Sequence, residues 1–162
     1  MTTIAYRDNQ MATDSRAYSG VGSMPIGSKN KLHRISDGTL LGVSTTRPGL
    51  SELVVEYFQA CIDDPDKEHE QPAVDKHHLI LLLVKPNGDV FFACDSLMLS
   101  GPIEAEYFAI GSGCDYAMGA MAMGAKPAVA VATAIKHDVY SGYPIRTTKL
   151  GGKKVKVHDV QV

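Results

Sequence analysis

Hydrophobic residues recur along this chain in short alternating or continuous runs, a pattern typical of β-strands. Turn-forming residues separate the runs, among them Asp37-Gly38 and Asn87-Gly88, where glycine supplies the positive φ that a tight turn needs. A further short strand is predicted at Tyr107 to Ile110, and Ser19 to Ser28, rich in Gly and Ser, is predicted to be a loop. The pattern predicts four hairpins, with strands at Thr3 to Tyr6 and Met11 to Ser15, Lys31 to Ile35 and Thr39 to Ser44, Leu79 to Val84 and Val90 to Cys94, and Tyr143 to Leu150 and Lys153 to Val160.

Three segments have the spacing of helices instead. Apolar residues recur at three- and four-residue intervals from Leu50 to Cys61, as on one buried helix face. Asp115 to Ala125 is rich in Ala and Met, and Pro127 is well placed to begin a helix that continues over Ala128 to Lys136. The segment Asp63 to Lys76 has many charged residues and little to bury, so we predict a solvated loop with at most a helical turn.

The order of these elements predicts an α+β fold. Strands, one helix, strands, two helices and strands follow one another, which favours packed antiparallel sheets with helices on two faces. The chain has 162 residues, enough for one sizeable core and too few for two ordinary domains, so we expect a single domain over residues 1–162. Hydrophobic residues make up 44% and charged residues 21%, which are the proportions of a globular protein.

Charge and cysteine content disfavour several classes of function. The formal net charge is -2 and no apolar run approaches the ~20 residues of a membrane span, so we expect neither a nucleic acid nor a membrane as partner. Cys61, Cys94 and Cys114 have no CxxC spacing, which argues against a disulfide framework and a structural zinc site and fits a reducing cytoplasm. The residues after Met1 lack the features of a secretory signal, so we expect a cytoplasmic protein that is mature from its first residues.

Five short motifs occur in order along the sequence. Each is common by chance when taken alone, but together they resemble the proteasome β-subunit family and, among its bacterial members, the HslV-like proteins. The resemblance implies an N-terminal-nucleophile hydrolase with a four-layer αββα sandwich. The motifs are Thr2-Thr3-Ile4, Ala12-Thr13-Asp14-Ser15-Arg16-Ala17, Lys31-Leu32, Ala109-Ile110-Gly111-Ser112-Gly113 and Asp138-Val139-Tyr140-Ser141-Gly142.

The chemistry of a threonine nucleophile explains why the first motif matters. A threonine hydroxyl attacks a carbonyl poorly until a base takes its proton, and an α-amino group, with a reference pKa of about 7.7 to 8.0, is such a base. Removal of Met1 would give Thr2 both groups, and the small Thr2 side chain favours that removal. We therefore expect Thr2 to attack a peptide carbonyl while its own amine, directly or through water, accepts the proton, with no metal or organic cofactor.

The resemblance also assigns a role to a lysine and an aspartate. Lys31 is the lysine beside the nucleophile, whose ammonium lowers the pKa of the threonine amine and hydroxyl, and Asp14 holds Lys31 in place. Lys29 is a rival, because it lies two positions away on the same strand face. Lys31 is preferred because an apolar residue and a basic pair follow it, as in the family.

A second set of residues matches those that surround the threonine amine in the family. Ser112, Asp138 and Ser141 are expected to form hydrogen bonds there and to fix the orientation of the amine. The segment Gly111-Ser112-Gly113 does not begin a dinucleotide-binding GxGxxG motif, because Tyr116 occupies the position of the third glycine.

The sequence departs from the family pattern in two places. Where the family has a glycine whose backbone N–H donates to the oxyanion, this chain reads Gly42-Val43-Ser44-Thr45-Thr46. A non-glycine backbone can still donate, so we expect the N–H of Thr45 or a neighbour to be the oxyanion donor. The acidic segment Asp63 to Lys76 stands where the family has a long second helix, so ring contacts and the docking of an unfoldase are expected to differ there.

Self-assembly is expected, because the Ala- and Met-rich segment Asp115 to Lys136 offers the small, adaptable apolar surface that subunit interfaces use. The resemblance implies a closed homo-oligomeric ring of six or seven subunits that admits only unfolded polypeptide. The chain has no GxxxxGK[ST] phosphate-binding loop, so folded substrates are expected to need a separate ATP-driven unfoldase.

Two alternative functions stay open from the sequence. A catalytically silent assembly or binding protein with the same fold would result if Met1 were retained, because the threonine amine would then be blocked. A hydrolase of small amides would use the same nucleophile on a different substrate. A metal site at His77-His78 is disfavoured, because adjacent strand residues point to opposite faces and no third ligand lies at a useful spacing.

Overall fold

The computed structural model describes residues 2–19, 24–74 and 78–159, in which strands and helices alternate largely as the hydrophobic pattern predicts. The three helices are α1 (Leu50–Asp63), α2 (Cys114–Ala122) and α3 (Pro127–His137). The strands are β1 (Thr3–Arg7), β2 (Gln10–Thr13), β3 (Arg16–Tyr18), β4 (Pro25–Ser28), β5 (Leu32–Arg34), β6 (Leu40–Thr45), β7 (Leu79–Val84), β8 (Val90–Cys94), β9 (Tyr107–Gly111), β10 (Ile145–Lys149) and β11 (Lys156–His158).

These strands form two main antiparallel sheets. The first has five strands in the order β11-β10-β2-β1-β9, and the second has four in the order β5-β6-β7-β8. In the first sheet β1 lies between β2 and β9, with Ile4 opposite Thr13 on one side and Ile110 on the other. Because β1 has a hydrogen-bonded neighbour on both sides, the position of its amino-terminal end is fixed.

The apolar run of β7 shows how the layers are built. Alternate side chains of a strand point to opposite faces, so Leu79, Leu81 and Leu83 pack with the buried residues of α1. Leu82 and Val84 point the other way, into the core between the two sheets. The strand is apolar at every position because both of its faces are covered.

Small residues fill the opposite side of the five-stranded sheet. Ala5 and Ala12 from the sheet meet Ala130 and Ala134 of α3, with Met121 of α2 in the same cluster. Alanine side chains allow α2 and α3 to approach the sheet closely. The layers are therefore α1, the four-stranded sheet, the five-stranded sheet, and the pair α2 and α3, which confirms the predicted αββα sandwich.

The prediction of a loop over Ser19 to Ser28 is wrong at its carboxyl end. Pro25–Ser28 forms strand β4, which pairs with Arg16–Tyr18 in a two-stranded ribbon with a shift in register. The residues of β4 are exposed, so this strand has no alternation of apolar positions that the sequence could reveal. Backbone hydrogen bonds alone define it, and residues 20–23 lie outside the described part of the chain.

The acidic segment after α1 agrees with its prediction as far as it is described. Residues 64–74 contain bends and turns, with neither helix nor strand, while Asp75 and Lys76 of the predicted loop lie outside the described residues. The helical pattern of α1 continues to Asp63, two residues past the predicted end. Of the described helices, none has both the length and the hydropathy that a membrane crossing requires.

Candidate active site

Thr2 lies just before β1, at the edge of a cleft of about 330 Å³. Lys31 lines the same cleft, and so do Val43 and Thr45 of β6. The pairing of β1 on both sides fixes where Thr2 sits relative to these side chains. The remaining lining residues are Arg16, Ala17, Tyr18, Ser19, Ile26, Lys29, Thr46, Arg47, Pro48, Gly49 and Ser51.

Lys31 and Asp14 form a buried ion pair behind this cleft. The Lys31 Nζ atom is 2.9 Å from Asp14 Oδ1 and 3.0 Å from Oδ2, and the two side chains are 8% and 0% exposed. Burial lowers the pKa of the Lys31 ammonium, and the Asp14 carboxylate opposes this effect. Such a pair persists in a dry site only when further hydrogen bonds satisfy the carboxylate.

Backbone N–H groups supply those further hydrogen bonds to Asp14. The N–H of Thr3 donates to Oδ1 at 3.0 Å, while the N–H groups of Arg16 and Gly142 donate to Oδ2 at 3.0 and 3.1 Å. Asp14 thus ties the start of β1, the start of β3 and the loop after α3 to the ammonium of Lys31. Every one of these groups is a donor, which suits an ionised carboxylate.

Lys29, the rival to Lys31, makes a different set of contacts. Its Nζ atom lies 2.6 Å from Ser51 Oγ and 2.7 Å from Glu52 Oε1, both in the first turn of α1. Lys29 is 34% exposed and Glu52 is 51% exposed. Of the two lysines, Lys31 is the one that contacts Asp14.

A second network starts at the main-chain nitrogen of Thr2. The N–H of Thr2 donates to Ser112 Oγ at 3.2 Å, and Ser112 Oγ donates to Asp138 Oδ2 at 2.7 Å. Ser141 Oγ donates to the same carboxylate oxygen at 2.6 Å. Because the Ser141 proton points to Asp138, Thr3 Oγ1 is the donor in its 2.7 Å contact with Ser141 Oγ.

Two glycines make room for this second network. A Cβ atom on Gly111 would overlap the carbonyl of Thr2, and the φ of Gly111 is +94°. A Cβ atom on Gly113 would overlap Thr3 Oγ1 and lie 3.1 Å from Asp138 Oδ2. Glycine on both sides of Ser112 therefore lets the Ser112 hydroxyl reach the Thr2 nitrogen.

The backbone hydrogen bonds of β6 define the direction in which the N–H of Thr45 points. The N–H of Thr46 donates to the His78 carbonyl at 3.2 Å, while the N–H of Val43 donates to the Lys31 carbonyl at 3.3 Å on the opposite edge. N–H groups of alternate strand residues point to the same edge. The N–H of Thr45 therefore points to the edge where Lys31 and the cleft lie.

The structure thus brings the sequence-predicted residues into two connected groups. Lys31 and Asp14 form one group, and Ser112, Asp138 and Ser141 form the other. The Thr2 nitrogen binds the second group, and Thr3 joins the two, because its N–H donates to Asp14 and its hydroxyl donates to Ser141. The sequence analysis did not predict the role of Thr3, which binds both Asp14 and Ser141. Thr3 follows Thr2 in the first motif, and its position in the sequence indicates only a strand residue. The sequence analysis also missed the N–H of Gly142, the last residue of the fifth motif.

The other candidates are not brought to this cleft. His77 lies outside the described residues, and His78 is exposed with Nδ1 4.0 Å from Asp95 Oδ1. Within residues 2–19, 24–74 and 78–159, no group of three or more His, Cys, Asp or Glu side chains is placed to hold a metal ion. Cys114, in the first turn of α2, contacts Asp115, and burial raises the pKa of its thiol.

Comparison with solved structures finds the same arrangement of layers in proteins of low sequence identity. BPH from Thiobacillus denitrificans has a TM-score of 0.62 and 16% identity, over 92% of this chain and 97% of that chain. Its complex with epoxomicin has a TM-score of 0.60 and 16% identity, over 92% and 98%.

A second group of similar structures is the ancestral β-subunit Anbu. Anbu from Yersinia bercovieri has a TM-score of 0.64 and 13% identity, over 97% of this chain and 86% of that chain. A Gly-1 mutant of Anbu from Hyphomicrobium sp. strain MC1 has a TM-score of 0.66 and 13% identity, over 97% and 88%. A scan of protein-family models finds no match, and a search of curated proteins finds none either. The similarity supports a proteasome-like fold.

Proposed function

We propose that this chain is a threonine-type peptidase in which Thr2 is the nucleophile and its α-amine is the general base. The observation that carries the proposal is a pair of networks that Thr3, the neighbour of Thr2 in the chain, joins through its N–H and its hydroxyl. One holds the Thr2 nitrogen through Ser112 and Asp138, and the other holds the Lys31 ammonium at the cleft that Thr2 lines. Such convergence suits a residue that must supply both a hydroxyl and an amine.

The first half of the reaction forms an ester. Thr2 Oγ1 attacks the substrate carbonyl carbon while its proton passes to the Thr2 amine, directly or through a water molecule. The Lys31 ammonium favours the alkoxide and lowers the pKa of the amine. The negative charge that develops on the carbonyl oxygen is stabilised by the N–H of Thr45. Collapse of the intermediate breaks the peptide C–N bond, and the amine gives its proton to the leaving nitrogen.

The second half of the reaction hydrolyses that ester. Water takes the place of the departed amine, loses a proton to the Thr2 amine and attacks the acyl carbon. The C–O bond to Thr2 breaks and the proton returns to Oγ1, which restores the starting state. Ser112 accepts a hydrogen bond from the Thr2 nitrogen, and this contact restricts the orientation of the amine. Ser141 and Thr3 keep Asp138 in position to accept from Ser112.

This mechanism requires a free amine on Thr2, and therefore a mature chain that begins at Thr2. It uses groups of the chain and water, so we propose no metal or organic cofactor. The likeness to BPH of Thiobacillus denitrificans, which was solved in complex with the protease inhibitor epoxomicin, supports a peptidase and makes epoxomicin a suitable probe.

We further propose that the chain assembles into a homo-oligomeric ring, with six- or seven-fold symmetry as the resemblance implies. The likeness to the ancestral β-subunit Anbu supports an assembly of this kind. A ring that encloses the cleft excludes folded proteins, so degradation of folded substrates in the cytoplasm would depend on an ATP-driven unfoldase. Unfolded polypeptide is the substrate of the ring itself.

The proposal is tested by Thr2→Ala and Thr2→Ser in protein whose intact mass shows loss of Met1. Thr2→Ala should lower hydrolysis of an unfolded casein-like substrate by at least about a thousandfold, because no other group supplies the nucleophile. Thr2→Ser should keep measurable activity, and Thr133→Ala, in α3 and away from the cleft, is the matched control. The wild type and the control should gain the mass of one epoxomicin, and Thr2→Ala should not.

The alternatives give different results in the same experiment. Full activity in Thr2→Ala contradicts the proposal. A native protein that retains Met1 and hydrolyses nothing indicates the silent assembly or binding protein. Hydrolysis of small amides without cleavage of polypeptides indicates the amidohydrolase.

A further inference from the structure

The cleft beside Thr2 is lined by cationic side chains. Arg16, Lys29, Lys31 and Arg47 all contribute to its wall, and no Asp or Glu does among the described lining residues. The acidic partners of the two lysines, Asp14 and Glu52, are not among the residues that line the cleft. A substrate side chain in this cleft therefore meets positive charge.

These four cations differ in how strongly they are already held. Lys31 is almost fully buried and is bound by Asp14 through both carboxylate oxygens, so it has little capacity for a substrate. The pair of Lys29 with Glu52 is partly solvated, and ion pairs of this kind contribute only about 0 to 1 kcal/mol. Desolvation raises the pKa of Glu52, but hydrogen bonds from Lys29 and Ser51 outweigh it and hold the pKa below its ordinary value. Lys29 can exchange this exposed carboxylate for another at small cost.

The two arginines contact neutral acceptors in the described structure. Arg16 donates from Nη1 to the carbonyl of Val139 at 2.9 Å, and Arg47 donates to the carbonyl of Ala73 at 3.4 Å. A carbonyl does not neutralise a guanidinium, so both positive charges act on the cleft. A carboxylate that enters it gains charge-assisted hydrogen bonds of the stronger class.

We propose that the cleft selects polypeptides with a glutamate or aspartate at the residue whose carbonyl Thr2 attacks, and that Lys29 and Arg47 determine this specificity. The inference rests on the proposed function, because it names the substrate of the same site. The walls formed by Ala17, Val43 and Pro48 accommodate the aliphatic part of the side chain. The carboxylate then displaces Glu52 from Lys29, while the Lys31 and Asp14 pair stays intact.

The test compares fluorogenic peptides that differ only in the residue before the leaving group. We expect kcat/KM for the Glu peptide to exceed that for the Gln peptide by about tenfold at low salt, and this ratio to fall at 1 M salt, where the Debye length is about 3 Å. Lys29→Gln should reduce the ratio several-fold, and Lys29→Glu should make the Arg peptide a better substrate than the Glu peptide. Arg47→Gln gives a second variant, and Lys153→Gln, exposed and distant in sequence from the cleft residues, is the matched control.

The outcomes separate this inference from the proposed function. Hydrolysis in which the Glu peptide is no better than the Gln, Leu or Arg peptides overturns the inference and leaves the peptidase in place. A Glu preference that survives both Lys29→Gln and Arg47→Gln overturns the assignment of these residues. Failure to cleave any peptide, together with failure to form an epoxomicin adduct, contradicts the proposed function and removes the basis of the inference.

Discussion

The carboxylate of Asp14 connects several separate segments of the candidate active site. Its two oxygens bind the ammonium of Lys31 and accept hydrogen bonds from the backbone N–H groups of Thr3, Arg16 and Gly142. The residue is completely buried, so its charge is stabilised by these donors and not by water. The motif around Asp14 identifies the carboxylate, but it does not show that the N–H of Gly142, 128 positions away, donates to it.

Removing the ammonium should therefore destabilise the protein. We expect Lys31→Met to lower the free energy of unfolding by about 3 kcal/mol, near the lower end of the cost of breaking a buried ion pair, because the three N–H groups still bind Asp14. Peptide hydrolysis should fall with it. Lys29→Met, which breaks an exposed pair, should cost about 1 kcal/mol or less. Urea titration of both variants checks this, and equal losses would contradict the contrast between a buried and an exposed pair.

At the scale of elements, the junction between β9 and α2 requires a glycine, because neighbouring atoms leave no room for a side chain. Gly113 precedes the first residue of α2, and its hydrogen atoms face Thr3 and Asp138 across a distance that excludes a methyl group. Gly119, inside the same helix, is different, because a Cβ atom there would meet no other atom within 4 Å. Two glycines of one short segment therefore have opposite structural requirements.

This difference gives a matched pair of substitutions. Gly119→Ala should stabilise the protein by up to about 1 kcal/mol, because alanine has a higher helix propensity than glycine at an exposed interior position of a helix. Gly113→Ala should destabilise it and lower activity, because Thr3 and Asp138 must move and the Ser112 contact with the Thr2 nitrogen is lost. Thermal unfolding and peptide hydrolysis measure both effects. If Gly113→Ala kept full activity, the network at Ser112 would not position Thr2.

At the scale of the whole molecule, the four layers leave apolar side chains at the surface of α2 and α3. The exposed large hydrophobic residues include Met118 of α2, Met123 directly after α2 and Val129 of α3. Exposed apolar side chains on an Ala-rich helix pair suit contact with another subunit.

Assembly is the prediction that belongs to this scale. We expect native mass spectrometry and light scattering at micromolar concentration to detect an oligomer of six or seven subunits, or two such layers. A monomer as the sole species would contradict the ring. Met118→Glu, on the exposed face of α2, should weaken the assembly, while Lys153→Gln should leave it unchanged.

The sequence by itself predicted most of the element order, and its resemblance to a known family predicted the αββα class and the residues of the candidate site. Leu79–Val84 is a continuous apolar run, and apolar residues recur in Leu50–Asp63 at three- and four-residue intervals. Both patterns can be recognised in the sequence alone. The site residues were found through five ordered motifs, while the single-domain and cytoplasmic assignments stay predictions. The strand Pro25–Ser28 was missed because its residues are exposed and form no apolar pattern.

Only the tertiary structure decided how the side chains meet. The choice of Lys31 over Lys29 at Asp14, the donation from Thr3 to Ser141 and the direction of the Thr45 N–H all depend on contacts between distant segments. Lys29 and Lys31 lie two positions apart and have the same local sequence pattern. In the folded chain Lys29 pairs with Glu52 of α1, and Lys31 pairs with Asp14. A hydrogen bond selects its partner by distance and angle in space, and spacing along the chain does not contain that information.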